Sequence, residues 1–303
     1  MQSVSYGGWP KCVRLANEDI ELIATIDVGP RIIRFGFIGG PNLFKEFPEV
    51  GKTGGDAWRN YGGHRLWHAP EVMPRTYAPD NSPIKHKWDG ATLKLIQPAE
   101  TATGIQKQIE VTLPAQNNSV RVRHLLSNKN AWPVELAPWA LTVMQGPGRA
   151  IVPQEPSSNE LLPVRPMAFW GYTNMADPRW KWGAKFIQLT CDPAAATPQK
   201  IGVSHKQGWA AYYRDGQVFL KRIAFDANAT YPDFGCNIEF YTNGDMLEVE
   251  TLGPLTKVAP NASVEHVEHW HLSKARVGES DSEVESALAP LLGQSPANPF
   301  IPC

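Results

Sequence analysis

The segment YGGHRLWHAPE, residues 61–71, gathers two glycines, two histidines, an arginine, a tryptophan and a glutamate into eleven positions. His64 and His68 stand at i, i+4, which on a helix would put both on one face for a metal ion. The flanking GGH and APE make poor helix, however. On a strand the two histidines would still share a face with Leu66, while Arg65 and Trp67 would point the other way. Three readings follow. One is a metal centre whose third ligand comes from elsewhere. Another is a structural bulge, with glycines for the bend and histidines bonded to backbone. The last is a polar binding site in which the Arg65 fork holds a hydroxyl pair or a carboxylate, with Trp67, His68 and Glu71 beside it.

Other stretches carry chemistry-bearing residues in patterns of their own. In MLEVETLGPL, residues 246–255, Glu248 and Glu250 share one face of a strand that ends in a turn. A carboxylate partly buried at a strand end can be tuned into a base, and an outward charged face is the plain alternative. In VEHVEHWHL, residues 264–272, alternation splits the three histidines, so a solvent-facing polar row fits better than a metal cluster. In WGYTNMADPRWKWG, Trp170, Asp177 and Arg179 interleave aromatic and charged groups, as a lid over a polar ligand would, or as a loop anchored by buried rings. No P-loop, G-x-G-x-x-G, G-x-S-x-G or H-E-x-x-H occurs, which removes support for nucleotide-dependent and serine-hydrolase chemistry.

The elements that position these residues read as strands. Short alternating or β-branched runs ended by glycine recur, as in DIELIATIDVG and RIIRFGFIGG. GIQKQIEVTLPA and NSVRVRHLLSN pair as a hairpin across a polar turn, and Asp215-Gly216 signals a type I′ hairpin. One helix is expected from Ser280, with Glu283 completing a capping box and Val284, Ala287, Leu288 and Leu291 forming its apolar stripe. Pro290 should kink or shorten it. The Pro-rich stretch 153–177 reads as one long excursion, and long loops in compact domains commonly carry function. The expected organisation is a single all-β domain over residues 1–278, with antiparallel sheets stacked as a sandwich. The short helix and a Pro-rich tail, 279–303, pack on it.

Composition narrows the partners. With 29 basic and 30 acidic residues the net charge is −1, which gives no bulk attraction to nucleic acid or to an anionic membrane. The 11 tryptophans suit either a large core or sugar-stacking surfaces. Four cysteines without C-x-x-C spacing give a zinc ribbon no support; they are consistent with two disulfides or with free buried thiols. No apolar run is long enough to span a membrane, and the first residues lack a signal-peptide pattern, so the expected setting is cytoplasmic. A chain whose signal peptide had been removed would read the same way and would be periplasmic or secreted.

YGGHRLWHAPE, PWALTVM, WGYTNMADPR and LEVETLGPL with VAPNASVEHVEHWHL together resemble a bacterial family of unassigned function in the galactose mutarotase-like (aldose 1-epimerase-like) superfamily. The resemblance covers residues 8–272. It implies a β-supersandwich of large antiparallel sheets, concave on one side, with a carbohydrate site in the concavity, a small-molecule sugar as partner and no cofactor. Aldose 1-epimerases open a sugar ring with a histidine acid and a glutamate base. By resemblance the base is Glu250, and Asn261 stands where the following turn usually has glycine. The stretch that should carry the acid, LSNKNAWPVELAPWALTV, has no histidine, and Pro138 or Trp139 occupies its place. That leaves the acid to His64 or His68. The resulting expectations are an epimerase-like isomerase using Glu250 and His64, a non-catalytic carbohydrate-binding protein, or a metal-dependent lyase or hydrolase built on His64, His68 and a distant carboxylate.

Overall fold

A computed structural model describes residues 1–156 and 161–294. The expected Pro-rich tail after Gln294, and residues 157–160 of the long excursion, lie outside the described residues. The rest is nearly all β, in two large antiparallel sheets. The first sheet runs, in spatial order, Gln2–Tyr6, Trp9–Ala16, Ile20–Thr25, Arg31–Phe37, His64–Ala69, Val134–Met144, Leu247–Leu252, Ile238–Thr242, Gln199–Val203 and Met167–Phe169. Thr256–Val258 adds to it by pairing with the Val134–Met144 strand. The second sheet runs Trp180–Trp182, Phe186–Cys191, Gly148–Pro153, Trp209–Arg214, Gln217–Ile223, Ser263–Lys274, Ser119–Asn128, Ile105–Thr112, Thr92–Ile96 and Lys85–Trp88.

Alternation along these strands builds the core. Leu66, Phe35, Ile109, Val122, Leu126, Val249, Phe219 and Trp270 all point between the sheets and are fully or almost fully buried. At the centre, Phe35 and Phe44 meet Phe219 and Trp270 from the opposite sheet, with ring centroids 5.5–5.8 Å apart. Each such ring contributes roughly 1.5–3 kcal/mol by leaving water. Cys12, Cys191 and Cys236 are buried free thiols.

The expected hairpins form. Ile105–Thr112 pairs with Ser119–Asn128, and Asp215 and Gly216 both take positive φ, 48° and 74°, between the Trp209–Arg214 and Gln217–Ile223 strands. Asn261 is also left-handed, φ 62°. The helix spans Asp281–Gln294, and Ser280 and Glu283 exchange capping bonds of 2.9 and 3.4 Å. Its Val284, Leu288 and Leu291 pack on Ile151, Phe186, Trp209 and Leu220 on the outer face of the second sheet. Pro290 does not end it: the helix runs four residues further, with Pro290 on its exposed side.

The paired glycines of the YGGHRL segment are backbone necessities. Gly62 has φ +87°, and a Cβ there would lie 1.9 Å from the Lys45 carbonyl oxygen. Gly63 has φ +68°, and its Cβ would lie 2.4 Å from the Ile32 carbonyl oxygen. The close approach sets the entry into the His64–Ala69 strand. Gly62→Ala is expected to cost about 2 kcal/mol or more in urea unfolding. Gly171→Ala, whose Cβ meets nothing within 4 Å, should be close to neutral.

Candidate functional site

The outer face of the first sheet, turned away from the second, carries a floor of large polar and aromatic side chains. Register places them in rows. Arg65 lies opposite Leu141, Leu141 opposite Glu250, and Glu250 opposite Glu239. Trp67 lies opposite Trp139, and Trp139 opposite Leu252. Glu248 lies opposite Tyr241, and Tyr241 opposite Lys200. Two segments before and after the His64–Ala69 strand wall this floor: Trp58 and Tyr77 pack edge-on to Trp67 at centroid distances of 5.7 and 4.9 Å. A third, from the long excursion, brings Trp170 over Lys200 and Tyr172 edge-on to Tyr241.

The polar contacts centre on Glu250. Its Oε2 accepts from the Trp139 indole N–H at 2.8 Å and from Lys200 Nζ at 3.1 Å. Its Oε1 has no hydrogen-bond partner, although the side chain is fully buried. Lys200 also meets Glu239 Oε2 at 2.8 Å and sits between the Trp139 and Trp170 rings, 4.8 and 4.5 Å from their centroids. Burial would lower the Lys200 pKa, but Glu239 and Glu250 outweigh it and hold it well above the ordinary value. One ammonium serves two carboxylates, so burial, only partly offset by Lys200 and reinforced by Glu250, pushes Glu239 well up. Arg65 Nη2 pairs with Glu248 at 3.0 Å while its guanidinium lies over Trp67. Burial raises Glu248 despite Arg65.

The expected site residues divide between the two faces. Arg65, Trp67, Glu250 and Trp170 meet on this floor, and Glu71 stands at its exposed rim, accepting the Tyr77 hydroxyl hydrogen. His64 does not join them. It follows the even-numbered face into the inter-sheet core, so it cannot act across a cleft from Glu250. His68 also points inward, 3.8 Å from Glu100, whose Oε1 is 2.5 Å from Lys107. Asp177 and Arg179 are spent on each other through two 2.9 Å contacts, and Arg179 also holds the carbonyls of Ala195 and Thr197. They clamp a loop rather than face the floor. Among the described residues no histidine hydrogen-bonds or ion-pairs with Glu248, Glu250, Lys200 or Arg65. Lys200, Glu239, Trp58, Tyr77 and Tyr241 were not anticipated. The available signal was a charge inside each of the alternating runs KIGV and NIEF.

The inner face holds a second polar group, completely buried. His266 and Glu268, on one face of the Ser263–Lys274 strand with Trp270, point inward to it. Lys221 Nζ donates to Glu268 Oε1 at 2.8 Å and to the Val249 carbonyl at 3.0 Å. Thr251 donates to Glu268 Oε1 at 2.5 Å and Trp270 to Oε2 at 2.6 Å. His124 Nδ1 faces the His266 carbonyl, which can only accept, so it carries the proton. The neutral ring leaves Nε2 to accept from His64 Nε2–H at 2.7 Å, and His64 Nδ1 then accepts from Thr142. Burial depresses His64 and His124, and takes His266 to about 3. Glu268 stays low because Lys221 and the histidines outweigh its burial.

Among the described residues, His64, His124 and Glu268 form a group whose donor atoms, all within 4.8 Å of one another, could share a metal ion. The chemistry of the set disfavours it. Each donor atom already has a partner, and the Lys221 ammonium places a positive charge beside the same carboxylate. His64 and His68, whose spacing raised the metal reading, meet different partners, Thr142 and His124 for the one and Glu100 for the other.

No protein-family model and no curated protein matches the sequence. Solved structures do match in three dimensions. A galactose mutarotase-like protein from Lactobacillus casei superposes with a TM-score of 0.58 at 8% identity, covering 86% of this chain and 100% of that one. The chain has the galactose mutarotase-like fold. A galactose mutarotase related enzyme from Lactobacillus acidophilus gives 0.55 at 9% identity, covering 89% and 98%. A TPR-domain containing protein from Parabacteroides distasonis gives 0.60 at 13% identity; this chain covers 88% of itself but spans only 48% of that protein. No helix among the described residues of this mutarotase-like sandwich is long and apolar enough to cross a membrane.

Two outcomes follow from the buried network. Lys221→Met strands the Glu268 charge and should cost about 3–5 kcal/mol in urea unfolding, with Glu268→Gln in the same chain restoring part of it. Stability should also fall as pH drops below about 6.5. The histidines held neutral in the fold protonate in the unfolded chain first, which then binds more protons. The loss continues toward about 3, the value of His266. Glu239 and Glu248, pushed up, act in the opposite sense but are fewer than the depressed histidines. Urea midpoints between pH 7 and 4 check the sign.

Proposed function

We propose that the outer face of the first sheet binds a sugar and that Glu250 is the base of an aldose 1-epimerase-like ring opening. The observation that carries this reading is Glu250 itself. The Trp139 indole and Lys200 fix its Oε2, while Oε1 is left without a partner on a floor that also carries Trp67 and Trp170. Indole faces suit the C–H surface of a pyranose, and an orphaned acceptor suits a hydroxyl. In the reaction Oε1 takes the proton from the anomeric hydroxyl, the bond from C1 to the ring oxygen breaks, and that oxygen receives a proton. Glu248 is the candidate donor in place of the missing histidine. It lies on the same face two residues away, about 7 Å along the strand, and burial holds its pKa up. Two carboxylates in unlike surroundings provide an acid and a base.

A second reading, a carbohydrate-binding protein without turnover, is favoured by the lack, among the described residues, of any histidine bonded to this floor. Anomer exchange followed by NMR on a panel of free aldoses separates the two. Turnover predicts exchange faster than in buffer, and Glu250→Gln should slow it by about 100-fold or more. Binding without faster exchange in the unaltered protein supports the second reading. No binding to any member of the panel overturns both.

A further inference from the structure

The cations on this floor are paired, while some of its buried carboxylate oxygens are not. Arg65 gives Nη2 to Glu248 at 3.0 Å and Nη1 to Asn60 at 3.4 Å, keeping only Nε without a partner. Lys200 is shared by Glu239 and Glu250, the Trp139 N–H is held by Glu250, and Arg31, beside Arg65, is held by Asp80 and the Gly62 carbonyl. Against these, Glu250 Oε1 and Glu239 Oε1 are buried acceptors with no hydrogen-bond partner. Two cations, Arg65 and Lys200, stand among four carboxylates, Glu71, Glu239, Glu248 and Glu250. The aromatic walls already seat positive charge: the Lys200 ammonium between two indoles, the Arg65 guanidinium over Trp67 and Trp58. The upward shifts of Glu239 and Glu248 agree with a face short of cations.

A phosphate or carboxylate on the ligand would need donors. It could take a cation only by drawing on the Arg65–Glu248 or Lys200–Glu250 pair, which would leave a buried carboxylate bare. A ligand that brings both donors and positive charge meets no such obstacle. We propose that the sugar bound here is an amino sugar, its ammonium group held by the surplus carboxylates and the aromatic walls, and that phosphorylated and uronic sugars are refused. The inference rests on the carbohydrate reading above and narrows its substrate class.

Calorimetric titration of the full chain tests it. The panel is glucosamine, N-acetylglucosamine, glucose, glucose 6-phosphate and glucuronate, with the galacto and manno series alongside. In whichever series binds, the free amine should bind about ten-fold or more tightly than both the N-acetylated and the parent sugar. That margin should shrink as salt is added, and the anionic sugars should bind more weakly than the parent. An amine no tighter than its N-acetylated form, or an anionic sugar as tight as its parent, overturns the inference while leaving sugar binding intact. If no sugar of any charge binds, the carbohydrate reading falls and this inference falls with it.

Discussion

The structure turns on the contact between Lys221 and Glu268, a fully buried ion pair between the sheets. Besides closing on the carboxylate, Lys221 donates to the carbonyl of Val249, the residue between Glu248 and Glu250. Thr251, on the same strand, donates to Glu268 and accepts from His266. The Leu247–Leu252 strand is therefore held from beneath by polar contacts that tolerate one register only. Taking these charges out of water is costly, and apolar residues would fill the space at lower cost. Satisfied networks of this kind fix geometry, because a shifted neighbour leaves a bare charge in a dry interior.

What is fixed below appears above as placement. Glu248 and Glu250 project from the opposite side of the same six residues, and their partners come from strands far apart in the chain. Trp139 and Arg65 stand on one side and Glu239 and Lys200 on the other. The upper face contrasts with the lower one. Below, the carboxylate oxygens of Glu268 are both engaged; above, Glu250 keeps one oxygen free. A buried carboxylate oxygen left without a partner, with Glu239 Oε1 in the same state beside it, is what a binding or reacting position looks like.

Much of this was legible in the chain. Alternation separated Arg65 and Trp67 from His64 and His68, and placed Glu248 and Glu250 together. The hairpins, the capping box and the sandwich followed from turn residues and period. The direction of each face was harder to read. In HRLWHA both faces mix polar and apolar groups, and period alone cannot say which one looks inward. The choice depends on partners that sequence does not join: His124, hidden at a core position among Val120, Val122 and Leu126, receives His64 from the other sheet. Lys200 and Glu239 were unremarkable charges until the fold set them beside Glu250. Pro290 stands inside the Asp281–Gln294 helix without ending it, on an exposed side that tolerates a missing N–H.

One strand thus serves two masters, site on one side and keystone on the other. Changing a side chain on either face alters one of them at a time. Adding or removing a single residue in its middle would do something different: every group downstream would change sides, sending a glutamate into the dry interior and a threonine out among the indoles. Evolution and engineering can rewrite the letters of this strand, but not its count.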